Sequence, residues 1–523
     1  MDAFIVRDDL SRHTSPFGEG TGGPAKAGSV MFGTLYFFGC CALLIAGYVV
    51  YGAFVERVFG ADASRKTPVM TRRDGVDFEP MPLWKLYMSQ MINIAGLGPV
   101  IGTILGALYG PVALLWVVFG SIFAGAVHDY IAGMISIRED GISYPEIIGR
   151  NLGSGMRIFM ECFTIIFMIM VGATFVLAPA ALLASLFPNF LTNLFPSAPT
   201  LAWSVLIFAY YFVATIIPFD RIVSRFYPIV GVLLIFMALG LIVALFVKGY
   251  NILPNTDFFT NVHPAHTPVW PILFITIACG AISGFHATQS PLRARCMLNE
   301  KQGRKVFYGA MITEGLLGLI WATLALSFYP DAASLSAAMG PQGAPTLVVQ
   351  QIAITLLGPI GGLLAILGVV LLPISTGDTA FRAARSMLAD RFHIDQTSVT
   401  RRILTAVPLF CGGVALTLLD FPIIWRYFGW ANQTMSCVSL WAFSVWLARH
   451  GRLHWITSLP AVFMTTVCTA YICYAPIGFR LSMEASTIIG ILVSLTCLAL
   501  FLHFSRTGSL SAGKNTPAAA CTK

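Results

Sequence analysis

The sequence predicts an all-α polytopic membrane protein with about 13 transmembrane helices. Of its 523 residues, 57% are hydrophobic and only 11% are charged, whereas soluble domains carry about 25% charged residues. Apolar runs recur at the roughly 20-residue length that crosses a bilayer, centred near residues 43, 96, 124, 172, 208, 237, 278, 317, 367, 410, 436, 464 and 494. Charged residues punctuate these runs and form no basic face, so the net charge of +8 does not indicate a nucleic-acid partner.

The Lys and Arg residues alternate sharply between the two sides of the predicted membrane. Of the 32, 26 fall in connections after odd-numbered spans or in the carboxyl-terminal tail. Because positively charged loops stay in the cytoplasm, we expect the amino terminus outside and the carboxyl terminus inside. Residues 1–30 form a polar tail without the apolar stretch of a signal peptide, and residues 506–523 form a polar cytoplasmic tail.

Glycine and proline interrupt two spans, the second and the seventh. The first break lies between Ile92 and Gly102, and the second lies between Ala278 and Pro291. They lie five spans apart in the chain, so the two broken helices cross the membrane in opposite directions. This spacing predicts two inverted five-helix repeats, residues 83–250 and 269–447, as in leucine-transporter-type folds. The first span (31–58) and the last two (452–505) would be peripheral.

The breaks predict a solute site. Backbone groups freed at membrane depth must line protein or a water-filled cavity, and paired broken helices mark the binding sites of secondary transporters. Half-helix amino termini favour anionic groups, so we expect an anionic or zwitterionic small molecule. The predicted substrate-binding residues are Ala95, Gly96, Gly98, Pro99, Gly280, Ser283, Gly284 and His286.

Polar and ionisable residues within the spans are candidates for ion coupling, because such residues are costly in a membrane and functional by default. The candidates are His128, Asp129, Glu314, Ser375, Thr376, Asp378 and Thr379. Each also has a structural interpretation as a helix-to-helix hydrogen-bond partner or a cap, and a hydroxyl in an apolar helix usually bonds its own i−4 carbonyl.

Two coupling ions fit this set. Freed carbonyls near Ala95, with the hydroxyls of Ser375 and Thr376, are hard oxygen ligands of the kind Na⁺ needs. The competing interpretation is H⁺, carried by Asp129, Glu314 and the histidines. The 11 Cys residues are scattered without a CxxC or Cys/His cluster, so we expect no cofactor, no disulfide framework and no metal site beyond that possible Na⁺.

Two other classes of function compete with a transporter. An intramembrane acyl-transfer enzyme would need an acid–base pair, and only His128-Asp129 comes near. Adjacent helix residues point about 100° apart, which is poor geometry for catalysis, so no catalytic residue is assigned. A nutrient sensor would need a separate signalling protein, since the chain carries no attached signalling domain. The sequence sets no oligomeric state.

At these same residues the chain resembles the carbon starvation protein A family of bacterial membrane transporters. The matching segments are Thr67-Pro68 with Asp74-Gly75-Val76-Asp77-Phe78, Ile94-Ala95-Gly96-Leu97-Gly98-Pro99, Gly125-Ala126-Val127-His128-Asp129, Thr276 to His286, Leu372 to Arg382, and Tyr427 to Gln433. The resemblance covers roughly residues 60–450. It implies uptake of peptides or pyruvate by a leucine-transporter-like carrier of the inner membrane.

Two departures from the family pattern bear on coupling and substrate. Many members carry a His-His pair before the first break, where this chain has Ser89-Gln90. The Gly/Thr-rich segment that usually follows the Gly-Phe-His string is here Ala287 to Pro291. The coupling ion or substrate can therefore differ from that of other members.

Overall fold

All regular structure in the described part of the chain is helical. The computed structural model describes residues 27–73, 78–187, 199–216, 219–254, 257, 260–340, 343–396, 398–419 and 421–506. Most of the predicted amino-terminal tail, the Asp74–Asp77 segment of the family pattern and residues 507–523 of the predicted carboxyl-terminal tail lie outside these residues.

Thirteen helical segments lie at the predicted positions. In span order they are Ala27–Phe59 (three joined pieces, Ala27–Ala46, Gly47–Tyr51 and Gly52–Phe59), Leu83–Ile94 with Gly98–Ala107, Val112–Arg138, Ser154–Leu186, Pro199–Ile216, Phe219–Val247, Ile272–Thr276 with Gly284–Ala294, Glu300–Phe328, the later part of Pro345–Arg391, Val399–Leu416, Phe421–Arg449, Trp455–Tyr474 and Met483–Arg506. Short helices Pro68–Thr71, Tyr144–Leu152 and Ala332–Ala338 lie between spans.

Ten of these helices are long and apolar enough to cross a membrane, and the bent pair Leu83–Ile94 and Gly98–Ala107 makes an eleventh. The two other predicted spans fall outside that count for visible reasons. The seventh is split into pieces of 5 and 11 residues, and the eleventh, Phe421–Arg449, carries polar residues along its length. In Pro345–Arg391 the backbone leaves the helical conformation at Gly358 (φ 72°), so an additional helix precedes the ninth span.

Both predicted breaks are present, and they touch one another. The second span bends by 51° between Ile94 and Gly98, and the seventh is unwound between Thr276 and Gly284. A Cβ atom at Gly98 would lie 2.1 Å from the Cβ of Cys279. A Cβ at Gly102 would lie 3.0 Å from the carbonyl oxygen of Thr276. Only glycine permits this approach of the two unwound segments.

The third span packs on the seventh-span break through its small residues, as their one-turn spacing predicted. A Cβ at Gly120 would lie 2.7 Å from the Cβ of Ala281, and a Cβ at Gly125 would lie 2.3 Å from the Ala281 carbonyl oxygen. The eighth span packs on the second, and the ninth packs on the fourth. The third and eighth spans therefore both pack beside the seventh-span break.

Candidate functional site

Four ionisable side chains from three helices form a buried chain of contacts at the centre of the bundle. His128 and Asp129 come from the third span, His286 from the half-helix after the seventh-span break, and Glu314 from the eighth span. The His128 Nδ1 atom lies 2.9 Å from Asp129 Oδ1, and His286 Nδ1 lies 2.8 Å from Asp129 Oδ2. His286 Nε2 lies 3.4 Å from Glu314 Oε2. All four side chains are fully buried.

The two contacts of His286 differ in kind. The contact with Asp129 is a hydrogen bond, whereas the contact with Glu314 is an ion-pair distance without hydrogen-bond alignment. Among the described residues neither oxygen of Glu314 has a hydrogen-bond partner. An imidazole presents one nitrogen to each of two carboxyl groups here, and either nitrogen can carry a proton. The arrangement can therefore hold a proton, or pass one, between Asp129 and Glu314.

The sequence predicts two roles for His286, substrate binding at the break and proton carriage with Asp129 and Glu314, and in the structure its imidazole contacts those two carboxyl groups. The half-helix Gly284–Ala294 begins at the break. His286 lies in its first turn, and its side chain faces the third span, where it contacts Asp129. The four side chains make pairwise contacts, and within the described ranges no three His, Cys, Asp or Glu side chains converge as metal ligands would.

The backbone groups freed at the seventh-span break are bonded by side chains of the third and eleventh spans. Asn432 Oδ1 accepts from Phe285 N (2.9 Å) and from Ser283 Oγ (3.1 Å), which caps the half-helix amino terminus. Three further bonds to freed carbonyl oxygens come from Gln433 Nε2 to Ile282 (3.1 Å), Trp116 Nε1 to Ile277 (3.0 Å) and Ser121 Oγ to Gly280 (3.1 Å). The half-helix terminus expected to face a substrate carboxylate is thus bonded to protein in this conformation.

The second-span break meets the ninth span, which is the meeting point expected for a Na⁺ site. Thr376 Oγ1 donates to the carbonyl oxygen of Asn93 (3.2 Å), and Thr379 Oγ1 donates to Asn93 Oδ1 (3.1 Å). A Cβ at Gly96 would lie 3.1 Å from Thr376 Oγ1. All three hydroxyls also bond their own helix: Ser375 Oγ and Thr376 Oγ1 donate to the Leu372 carbonyl oxygen (2.7 and 3.1 Å), and Thr379 Oγ1 donates to the carbonyl oxygen of Thr376 (2.8 Å). The oxygen atoms are hard ligands of the right type, but in this conformation they are bonded to protein groups of the second and ninth spans.

Asp378 is not part of the histidine–carboxylate chain, the row of contacts formed by His128, Asp129, His286 and Glu314. Its Oδ2 accepts from Tyr210 Oη of the fifth span at 3.0 Å, and its side chain is buried. Arg293, on the same half-helix as His286, is also buried and donates to the Ser89 carbonyl oxygen at 3.4 Å.

The sequence did not predict Asn93, Arg293 or Tyr210 as site residues. Asn93 carried a usable signal, since an amide directly precedes a break. Arg293 gives no signal in the sequence, because a cation after an apolar run is typical of a loop and its burial is visible only in the structure. Tyr210 looked like any other apolar-span tyrosine, because nothing local marks its contact with Asp378.

The substrate-binding residues predicted at the breaks are all buried, and of their glycines Gly98 and Gly280 lie where the two unwound segments meet. A mostly apolar cavity there is too narrow to hold a water molecule. It is lined by Gly98, Ile275, Thr276, Ala278, Cys279, Trp425, Phe428 and Gly429. The conformation is therefore closed around this point.

Comparison with known sequences gives one family. The family described as "Carbon starvation protein CstA" matches residues 33–198, 186–353 and 332–471. An uncharacterized membrane protein of Haemophilus influenzae is 39% identical over 348 residues, covering 58% of this chain and 94% of that protein. The peptide transporter CstA of Escherichia coli is 27% identical over 561 residues, covering 82% and 79%. The pyruvate/proton symporter BtsT of Escherichia coli is 26% identical over 335 residues, covering 53% and 47%.

Two solved structures establish the fold. MhsT in complex with L-phenylalanine superposes with a TM-score of 0.55 at 12% identity, covering 80% of this chain and 99% of that one. The Eremococcus coleocola manganese transporter superposes with a TM-score of 0.51 at 14% identity, covering 83% and 99%. The predicted leucine-transporter-like architecture is thereby confirmed.

Proposed function

The chain belongs to the carbon starvation protein CstA family, and we propose that it is a proton-coupled secondary transporter that imports a small carboxylate. Support comes from relatives named as a peptide transporter and as a pyruvate/proton symporter. The relatives and the structures that share its fold are transporters, which favours transport over an enzymatic or a sensory role.

The observation that carries the proposal is the buried contact of His286 with both Asp129 and Glu314. His286 belongs to the half-helix that begins at the seventh-span break, so the group that holds the proton moves with the segment that lines the substrate path. Protonation changes the charge of this contact, and its charge decides which packing of the seventh span against the third and eighth is favoured. Because one half-helix carries both the proton-holding group and a segment that lines the substrate path, proton binding is coupled to the alternating exposure of the substrate site.

Sodium is the second candidate ion. The hydroxyls of Ser375, Thr376 and Thr379 and the backbone near Ala95 and Gly96 supply its oxygen ligands once they release their present protein partners. The histidine–carboxylate chain favours the proton, because imidazole is a proton carrier and not a ligand that Na⁺ prefers.

The proposed substrate site is the point where the two breaks meet, around Gly98, Pro99, Gly280 and Ser283. In this closed conformation no water molecule fits there, so a solute would enter only after the two breaks separate, and a small one such as pyruvate requires the least separation. Short peptides are the second candidate substrate, favoured by the relatives named as peptide transporters. We further propose the bacterial inner membrane as location, with the amino terminus outside and the carboxyl terminus inside, from the distribution of Lys and Arg.

Reconstitution in liposomes tests the proposal directly. Labelled pyruvate and labelled dialanine are offered under an inward proton gradient and, separately, under an inward sodium gradient, with protein-free liposomes as control. We expect accumulation of pyruvate under the proton gradient alone. Accumulation under sodium alone would refute the coupling ion. Accumulation of dialanine alone would refute a small carboxylate as the substrate. Accumulation of neither solute would refute both substrate classes, provided that the protein is shown to be folded by its cooperative unfolding.

A further inference from the structure

A second, larger cavity lies where the first, third and eleventh spans end. It encloses about 520 Å³, and its volume includes space open to solvent. Its lining residues are Arg65, Arg138, Glu139, Trp446, His450 and Arg452. None of them lines the cavity between the two breaks, so this is a separate place on the molecule. The charge pattern predicts that it faces the cytoplasm.

The cavity carries surplus positive charge. Glu139 is its single lining carboxylate, and both of its oxygens are occupied: Oε2 by Arg150 at 3.0 Å and Oε1 by Trp446 Nε1 at 2.6 Å. Arg138 is held by Glu300 at 2.6 and 2.9 Å. By contrast, Arg65 and Arg452 are exposed and form no ion pair with any described carboxylate.

A rigid aromatic stack forms one wall beside these arginines. The rings of Phe59 and Trp446 are stacked with centroids 5.2 Å apart and planes 5° apart, and His450 stacks on Trp446 at 3.9 Å. His450 Nδ1 lies 2.8 Å from the Trp446 carbonyl oxygen, which fixes the imidazole and leaves Nε2 for a ligand. The Arg452 guanidinium lies against Gly60, where a Cβ would be 2.9 Å from Nη2.

We propose that this cavity binds a phosphate-bearing anion through Arg65, Arg452 and His450. Guanidinium groups pair with phosphate oxygens in a bidentate geometry that lysine cannot match. Basic pockets between transmembrane helices on the cytoplasmic side are suited to lipid phosphate groups, and a soluble phosphate compound offers the same chemistry. Arg138 and Glu139 line the same cavity at the end of the helix Ala126–Arg138, which carries Asp129, so the ligand would lie beside the end of the helix that holds the coupling group.

Two arms of one binding experiment separate the two sources of phosphate. In the first, inorganic pyrophosphate is titrated by calorimetry into the full chain in nanodiscs of neutral lipid. In the second, phosphatidylglycerol retained by the purified chain is quantified by native mass spectrometry. The test variant is Arg65→Gln/Arg452→Gln. The matched control is Arg57→Gln/Lys301→Gln, which removes two exposed cations from the same face outside the cavity.

We expect the test variant to weaken one of the two ligands at least about tenfold, equivalent to about 1.4 kcal/mol, while the control stays within about twofold of the parent chain. Loss of pyrophosphate binding identifies a soluble phosphate, and loss of retained phosphatidylglycerol identifies a lipid headgroup. Equal loss in test and control variants would show general surface charge and overturn the site. Absence of binding by the parent chain in both arms would overturn it too.

Discussion

The Oδ2 atom of Asp129 lies 2.8 Å from the Nδ1 atom of His286, and both side chains are fully buried. This bond joins the third span to the half-helix that follows the seventh-span break. A charged hydrogen bond of this kind contributes about 1.5–3 kcal/mol, more than enough to bias two conformations of similar energy. Movement of the broken span must therefore strain, break or carry this bond with it.

Asp129→Asn should uncouple transport from the proton gradient. The amide keeps the shape but cannot carry the charge that both imidazoles face. Loss of about 1.5–3 kcal/mol corresponds to about a 10- to 150-fold fall in proton-driven accumulation, whereas counterflow exchange of labelled solute should persist. The control is Glu161→Gln, a carboxylate paired with Arg157 at a span end (2.9 Å). Equal loss of accumulation and counterflow in folded Asp129→Asn protein would contradict a coupling role.

His286→Gln should impair coupling more than His128→Gln does. The imidazole of His286 contacts Asp129 and Glu314 together, whereas among the described carboxyl groups His128 contacts its neighbour Asp129 alone. Glutamine can replace one hydrogen bond but cannot relay a proton between two carboxyl groups. Proton uptake that accompanies solute entry, followed with a pH dye inside liposomes, measures the difference. The reverse order of the two variants would place the proton path on the His128 side.

Gly98→Ala should block transport and destabilise the fold. The new Cβ would lie 2.1 Å from the Cβ of Cys279, and overpacking of this kind costs about 1–3 kcal/mol. Cys279→Gly in the same chain should restore stability and part of the uptake, because it removes the clashing atoms. Gly39→Ala is the control, since no atom lies within 4 Å of its Cβ position. Thermal unfolding and uptake check all four chains, and a neutral Gly98→Ala would refute the contact between breaks.

Asn432→Ala should lower thermal stability. It leaves the Phe285 N–H and the Ser283 hydroxyl without their acceptor, and an orphaned buried donor costs about 1–3 kcal/mol. Thr434→Ala on the same helix is the control, because Thr434 Oγ1 donates to the Trp430 carbonyl oxygen of its own helix (2.9 Å) and caps no half-helix. If substrate replaces Asn432 as partner of the half-helix during transport, added substrate should stabilise Asn432→Ala more than the parent chain. Equal melting of both variants would mean that the cap contributes little.

Much of the architecture was predictable because a membrane restricts the choices. Lipid cannot bond backbone groups, so apolar length predicts helices, and dense glycine and proline predict where they break. These local rules placed all thirteen helical segments, both breaks and the close approach of Gly120 and Gly125 to a neighbour. They also restricted the site to a few polar residues within the spans.

The sequence by itself determined which residues are costly to bury, since a carboxylate or imidazole in an apolar run is visible without a structure. Only the tertiary structure decided which residues contact one another: His286 with Asp129 and Glu314, Asn432 with Phe285, and Asp378 with Tyr210. The physical reason is range. Helix formation and membrane insertion depend on neighbours along the chain, whereas these bonds join residues more than 25 positions apart, and only helix packing brings them within hydrogen-bond distance.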